Sequence, residues 1–574
     1  MTEKPLLVAP VPALDRLPRY SVGRPPYETD LILDFNESLA PLPLDGAPPS
    51  DVGDAHLYPW TEQLEAQLAS RMGIDADRVI VTCGADDALE RSVRSVCCPG
   101  RRAVMVKPTY GMPWRYAITT GAEITTVEWW RGSFPVSEVC EAADGAALLF
   151  LVSPNNPTGA VITRDEFTEV VTRLPETLIL HDQAYREFSD PEFDLTDTAL
   201  THPNVVLVRT FSKAWGGAGL RAGYAAGDGR VIDWLRRIGQ PFPVSRLTLD
   251  VLEAAITPDA EPSAERVNRI RRQRDTLSEI LTGLGVETLP SQASFVAARF
   301  EDAAGVRNAM ASLGIAIRGF PGRSELNDWL RTTMPGDAEN FDRLVTTFRT
   351  VLEPEALLFD LDGVIADESV SYRRAIVETA AAFGLDIDLQ AVNAAKAAGD
   401  ANNDWELTRR LLADAGIDVT LAEVTARFEA IYQGSDNEPG LRRHERLLVA
   451  RDTLARLAGM LPLAVVTGRP RRDAERFLAE TGIADCFRAV VTMEDAPAKP
   501  DPAPVRVALD RLELERAWMV GDTPDDIRAA RRAGVLPIGV VAPGDDPDEA
   551  KAALASSGAG RILSTVDELL EILP

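Results

Sequence analysis

Two groups of reactive residues follow one another in this chain of 574 residues. The first lies in S-P-N-N-P-T-G at 153–159, H-D-Q-A-Y at 181–185 and R-T-F-S-K-A-W-G at 209–216. The second lies in L-L-F-D-L-D-G-V at 357–364, V-V-T-G-R at 465–469, A-K-P-D at 498–501 and V-G-D-T-P-D-D at 520–526. One set offers a lysine nucleophile with a carboxylate and several hydrogen-bond donors around it. The other offers paired carboxylates, a hydroxyl and a lysine, the inventory for moving a phosphoryl group on a hard cation.

The first set meets the needs of pyridoxal phosphate. Its aldehyde needs a lysine, its pyridine nitrogen needs a carboxylate, and its phosphate needs amides, hydroxyls and a cation. Lys213 follows the apolar run V-V-L-V and suits the lysine's role; Asp182 follows T-L-I-L and suits the carboxylate's. Tyr185 and Asn156 suit the ring oxygen, and Tyr110 suits a stack on the ring. Gly84, Ala85 and Asp86 follow R-V-I-V-T-C and precede a helix-like segment, so their amides suit the phosphate, with Ser212 and Arg221 completing the cup. Singly these are ordinary surface lysines and turn residues; their order and number exclude that reading.

In the second set, Asp360 and Asp362 stand two residues apart at the end of a short apolar strand, before Gly363. The spacing suits a carboxylate nucleophile and a general acid/base. Thr467 suits the phosphoryl oxygens, and Lys499 offsets charge on nucleophile and phosphate. Asp522 and Asp526 complete, with the first two, a magnesium ligand set.

These residues need elements to hold them. Apolar runs at 78–82, 103–106, 147–152, 177–180 and 205–208 alternate with amphipathic segments, the pattern of an α/β domain with a mostly parallel sheet. Residues 262–289 read as helical, and a smaller mixed segment follows to about 352. A second alternating series starts near Ala356, after a short linker, and a helical block from about 368 to 447 interrupts it as a cap. The formal net charge of −28 argues against nucleic acid and anionic membrane surfaces as partners. Five cysteines without ligand spacing read as reduced thiols, and the proline-broken start is a poor secretion signal, so the expected location is cytoplasmic.

Residues from about 15 to 350 resemble the fold-type I aminotransferases, and within them the histidinol-phosphate aminotransferase branch. The resemblance rests on F-N-E-S at 35–38, L-Y-P-W at 57–60, T-C-G-A-D-D-A at 82–88, K-P-T-Y-G-M at 107–112 and the lysine motif running to Tyr224. It implies the PLP-transferase fold over 1–352, with a large domain at about 45–260 and a small one made of the N-terminal arm and about 261–352. It also implies a homodimer in which Tyr58 reaches the neighbouring subunit's cofactor phosphate. Arg331 is implied to hold a substrate anion, with Arg318 as second candidate, and Tyr20 and Asn36 to lie near the substrate. Gln183, Ser294 and T-T-M-P-G after Arg331 depart from the family pattern and bear on substrate identity.

Residues 355–574 resemble the haloacid dehalogenase superfamily, a Rossmann-like domain with a helical cap. The resemblance implies Asp360 as nucleophile and Asp362 as acid/base, with the cap residues Lys396, Asn402, Asn403, Asp404 and Trp405, and Arg442 or Arg443, as candidates for substrate choice. The whole chain thus reads as a bifunctional enzyme. It aminates a phosphorylated ketone with glutamate, and hydrolyses a phosphate monoester with Mg²⁺. Histidinol phosphate is the expected common compound; a serine-type or natural-product substrate, or a phosphatase half that is only structural or regulatory, are the alternatives.

Overall fold

The computed structural model describes residues 27, 29–37, 56, 58–257, 260–398, 403–435 and 440–573. Tyr20 and Asn402 lie outside the described residues. Among the described residues no helix is long and apolar enough to cross a membrane.

A seven-stranded sheet carries the first set of motifs. Its spatial order is Val79–Thr82, Gly223–Gly227, Val205–Thr210, Leu178–Asp182, Leu148–Val152, Arg102–Lys107 and Glu123–Glu128. All neighbours pair in parallel except Gly223–Gly227, which runs antiparallel to both of its own. The unbroken apolar run L-L-F-L-V explains why this sheet is buried on both faces. Leu148, Phe150 and Val152 join the core under the helices Gly84–Val96 and Gly229–Ile238, whereas Leu149 and Leu151 join the core under Val136–Ala143 and Arg164–Arg173. Phe150 is fully buried, so truncating it to alanine costs about 3–5 kcal/mol. Gly223 leaves no room for a side chain, since a Cβ there would lie 2.7 Å from the Ala85 nitrogen; this close approach seats the helix start beside the sheet.

A smaller antiparallel sheet, Trp329–Thr333 beside Phe295–Arg299 beside Glu287–Thr288, presents Arg331 opposite Ala297. The helical reading of 262–289 is too long. The helix is Ala264–Gly283, and Gly285, at φ +80, turns the chain into the strand Glu287–Thr288.

The second series forms a six-stranded, wholly parallel sheet in the order Phe487–Val491, Leu463–Val466, Ala356–Phe359, Ala517–Gly521, Leu536–Val540 and Arg561–Leu563. The helices Tyr372–Ala382, Leu389–Ala398, Asp404–Asp414 and Leu421–Gln433 form the cap, around Tyr372, Ile376, Leu407, Phe428 and Tyr432. A short antiparallel ladder, Ala366–Asp367 with Arg446–Leu447, brings the chain into and out of it.

The compact units cut across the boundary near 352 that separates the two sets of motifs. One comprises Leu33–Ala303 and Ile317–Asp342; the other takes Ala304–Ala316 and everything from Arg343 onward, together with the strand Leu31–Ile32. The reason is packing within that second unit. Trp518 donates its indole hydrogen to the Thr350 carbonyl at 2.7 Å, and Arg531 donates to the Ser312 carbonyl at 2.6 Å while lying over the Tyr27 ring. Elements that the sequence assigns to the first half are thus built into the second.

Candidate active sites

In each parallel sheet the reactive residues sit at the carboxyl ends of strands, where open α/β sheets bind ligands. In the first unit, Val152, Asp182 and Val208 lie in register on three adjacent strands. Asp182 ends its strand; Asn156 and Lys213 follow the flanking strands by a few residues.

The Lys213 ammonium donates to the Phe35 carbonyl at 3.0 Å and faces the Tyr185 ring. Burial, reinforced by Arg331, brings its pKa down to about 8. Burial pushes Asp182 up to about 7, with the Asp86 charge adding and the Ala184 amide, which donates to Oδ1 at 2.9 Å, opposing. Such a carboxyl is stabilised as an anion once a cation stands beside it. Tyr185 accepts a hydrogen bond from Asn36 Nδ2 at 2.7 Å and a longer one from Asn156 at 3.5 Å. Asn36 adopts a left-handed backbone (φ +54), and its Oδ1 accepts from Thr333 at 2.5 Å. Arg331 donates to Asn156 Oδ1 at 2.6 Å and to the Asp34 carbonyl at 2.7 Å, over the Phe295 ring.

The expected phosphate cup is the first turn of the helix Gly84–Val96, whose N-cap, Cys83, supplies no side-chain cap. Its first amides therefore remain available as donors. A Cβ on Gly84 would lie 2.9 Å from Arg221 Nη2, so the guanidinium overhangs this turn. Asp86 accepts from the Tyr110 hydroxyl at 2.8 Å and pairs with Arg221 at 3.9 Å. Ser212 accepts from Thr210 at 2.9 Å. A half-buried lysine, a buried carboxyl and an uncapped helix start with an arginine over it fit pyridoxal phosphate.

Two expected residues stand apart. Tyr58 is 74% exposed and stacks on Phe242. Arg318 meets Arg331 only through the backbone, its guanidinium lying over Phe320. What the sequence reading missed are the carbonyls of Asp34 and Phe35 and the hydroxyl of Thr333; only the nearby F-N-E-S signalled them.

In the second unit, Asp360, Asp522 and Asp526 bring carboxylate oxygens within 4.8 Å of one another, all buried. Lys499 lies 2.9 Å from Asp360 and 2.5 Å from Asp526, and also donates to the Val466 carbonyl at 3.1 Å. Burial, ahead of repulsion from Asp526 and Asp362, raises Asp360 to about 7 despite Lys499. Asp522 is likewise held well above the carboxylate range, by burial and then by Asp526 and Asp360. Three buried carboxylates with one ammonium fit a divalent cation. Thr467 follows the adjacent strand and its hydroxyl accepts from the Arg469 amide.

Asp362, expected beside them at the metal, directs its carboxylate elsewhere. Arg469 grips it through Nε at 2.9 and 3.0 Å and Nη2 at 2.5 Å, and reaches Glu445 at 3.1 Å. Arg469 is almost wholly buried and stacks 4.6 Å from the Tyr372 ring centroid. The residue stood in V-V-T-G-R, but its partners lie 107 and 24 positions away. Lys396, Asn403, Asp404 and Trp405 line a cavity together with Asp362. Arg442 instead pairs with Glu480, and Arg443 donates to the His444 ring.

Residues 46–348 match the family model of aminotransferase class I and II, and residues 354–534 that of haloacid dehalogenase-like hydrolase. A histidinol-phosphate aminotransferase of Shigella dysenteriae serotype 1 is 31% identical over 289 residues, covering 49% of this chain and 80% of the relative. An imidazoleglycerol-phosphate dehydratase of Phytophthora nicotianae is 44% identical over 230 residues, 38% of this chain; the chain spans half of that relative's length. The solved histidinol-phosphate aminotransferase of Sinorhizobium meliloti, in complex with pyridoxal-5'-phosphate, aligns with a TM-score of 0.53 at 25% identity, over 59% of this chain and 97% of that one. The chain belongs to the class I and II aminotransferases and carries a haloacid dehalogenase-like hydrolase domain behind them, a transferase and a hydrolase in one polypeptide.

Proposed function

We propose that this chain interconverts a phosphorylated ketone and its amine at Lys213 and hydrolyses a phosphate monoester at Asp360. The preferred compounds are imidazole acetol phosphate and histidinol phosphate, with glutamate and 2-oxoglutarate as the amino-group couple and histidinol as the final product. Relatives named for histidinol phosphate and for imidazoleglycerol phosphate support an imidazole-bearing phosphate ester. The observation that carries the reading is the joining of the lysine and its supports at the carboxyl ends of the central strands: Lys213, Asp182, Tyr185, Asn156 and Arg331 form one connected set.

Bound pyridoxal phosphate would supply an electron sink for the α-carbon. Asp182 would face its ring nitrogen, Tyr185 and Asn156 its ring oxygen, and Gly84, Ala85, Ser212 and Arg221 its phosphate. Lys213, once neutral, moves the α-proton as general base. Arg331 holds a substrate anion through its planar fork. The chain acts as a homodimer in the cytoplasm, and the exposed Tyr58 completes the partner's phosphate site.

In the hydrolase half, Mg²⁺ held by Asp360, Asp522 and Asp526 would neutralise phosphate charge. Asp360 attacks phosphorus, and Asp362, once turned out of its pairing with Arg469, carries the proton to the leaving ester oxygen. Asp362 then takes a proton from the water that cleaves the acyl phosphate, restoring both carboxyl groups. Lys499 and Thr467 hold the phosphoryl oxygens.

The test supplies histidinol phosphate and 2-oxoglutarate to purified protein with PLP and Mg²⁺, and follows glutamate and inorganic phosphate separately. Turnover in both channels supports the reading. Absence of both products, with PLP bound, rejects histidinol phosphate and directs the search to other phosphorylated amines.

A further inference from the structure

The loop that leaves the strand Leu463–Val466 brings two residues to the hydrolase site. Thr467 is assigned to the phosphoryl oxygens, and its hydroxyl accepts from the Arg469 amide at 3.1 Å. The Arg469 side chain is engaged with Asp362. Its Nε donates to both carboxylate oxygens, at 2.9 and 3.0 Å, and its Nη2 to Oδ1 at 2.5 Å. In-line attack by Asp360 puts the leaving oxygen on the far side of phosphorus from that carboxylate. An acid serving this oxygen has to stand clear of the carboxylates that hold the cation, and the grip of Arg469 keeps Asp362 out of the Asp360, Asp522 and Asp526 cluster.

The other side of Arg469 is bound as definitely. Nη1 donates to Glu445 Oε2 at 3.1 Å, while Glu445 Oε1 accepts from the hydroxyls of Ser371 and Tyr432, both at 3.0 Å. The guanidinium lies 4.6 Å from the Tyr372 ring centroid and 5.4 Å from that of Phe477. With side chains 1% and 6% exposed, Arg469 and Glu445 are a buried pair in their own right. One arginine thus serves two carboxylates: the proton carrier, and a glutamate fixed by the cap.

That sharing decides what happens when Asp362 turns to the ester. A buried guanidinium stripped of its only anionic partner is left uncompensated, which opposes the turn. With Glu445 in place, Arg469 keeps a partner throughout, so Asp362 can be both held and let go.

We propose that Arg469 and Glu445 are positioning residues for the proton transfer. Arg469 stations Asp362 clear of the metal carboxylates, and Glu445 keeps Arg469 neutralised while Asp362 turns to the leaving oxygen. The inference rests on the phosphatase reading of this site. It makes the release of basic alcohols, which need the proton, depend on two residues outside the Asp360 cluster.

The division of labour between the Glu445 oxygens supplies the variant. In Glu445→Gln the amide oxygen still accepts from Ser371 and Tyr432, whereas an amide nitrogen facing Arg469 is a donor and forms no bond to it. The full chain with Mg²⁺ is assayed for phosphate release from p-nitrophenyl phosphate, phenyl phosphate and histidinol phosphate. The first leaves as a weakly basic phenolate and needs little help, whereas the other two leave as strongly basic oxygens that need the proton. Glu445→Gln is expected to lower kcat for phenyl phosphate and histidinol phosphate about tenfold or more, with kcat for p-nitrophenyl phosphate held within about twofold and KM little changed. Arg469→Lys keeps the charge but loses the fork that holds two carboxylates at once; it is expected to show the same split, and it carries the test if Glu445→Gln does not fold. A parallel fall for all three esters, rates unmoved for all three, or a change confined to KM, in a variant shown to be folded by circular dichroism, overturns the proposal and leaves the phosphatase reading standing. No phosphate from any of the three esters with the natural chain overturns that reading and the proposal with it.

Discussion

Arg331 and Asn156 are joined by a hydrogen bond of 2.6 Å. The arginine comes from the small antiparallel sheet and the asparagine from the loop after a central strand of the large one. The pair therefore ties the proposed substrate anchor to a group expected at the cofactor ring. Lysine in place of Arg331 keeps the charge but loses the fork and its second bond, to the Asp34 carbonyl. Arg331→Lys is expected to raise KM for the anionic substrate roughly 10–100-fold, with a smaller fall in kcat. Steady-state transamination kinetics check it; an unchanged KM would remove Arg331 from substrate binding.

Cofactor capture is expected to follow the protonation of Lys213. Only the neutral amine attacks an aldehyde, and its pKa is lowered to about 8. Uptake of PLP by cofactor-free protein should accelerate with pH up to about 8 and level off above it. The sign for stability follows from the same shift. Between about 8 and the ordinary 10.5 the unfolded chain holds more proton on this lysine, so its burial costs less as pH rises. Absorbance changes on PLP addition across pH measure the first effect; a plateau reached only near 10.5 would contradict the lowered pKa.

Asp182→Ala removes the carboxyl expected to face the pyridine nitrogen. Transamination should fall about 100-fold or more, equivalent to about 2.7 kcal/mol of barrier. Phosphate release from the same preparation should remain, because Asp182 belongs to the other compact unit.

Gly363 sits between the two hydrolase aspartates at φ +72, and a Cβ there would lie 2.2 Å from Asp522 Oδ2. Alanine at this position strains the backbone by about 1–2 kcal/mol and displaces a carboxylate of the proposed metal site. Gly363→Ala is expected to raise the Mg²⁺ concentration needed for half-maximal phosphate release and to lower kcat by about tenfold or more. Titration of activity with Mg²⁺ checks it.

What the sequence made legible were residues tied to a strand end. Asp182 ends its strand, Asp360 and Asp522 directly follow theirs and Lys213 follows one by a few residues, so period and position suffice to find them. Pairings across long chain separations were hidden. Asn36 meets Tyr185 across 149 positions, and Arg469 meets Asp362 across 107; no local pattern encodes either. The division into compact units was hidden for the same reason, since Trp518 finds its acceptor 168 positions away, in a helix that the motifs assign to the first half. The overlong helix reading failed at Gly285, where a left-handed turn outweighs the helical periodicity before it.

The central claim is two independent chemistries in one chain, and crossed inactivation tests it most directly. Lys213→Ala and Asp360→Asn are assayed side by side for glutamate formation and phosphate release, with PLP and Mg²⁺ present. The account predicts that Lys213→Ala loses only glutamate formation and Asp360→Asn loses only phosphate release. Loss of both activities in either folded variant, or survival of phosphate release in Asp360→Asn, would contradict it.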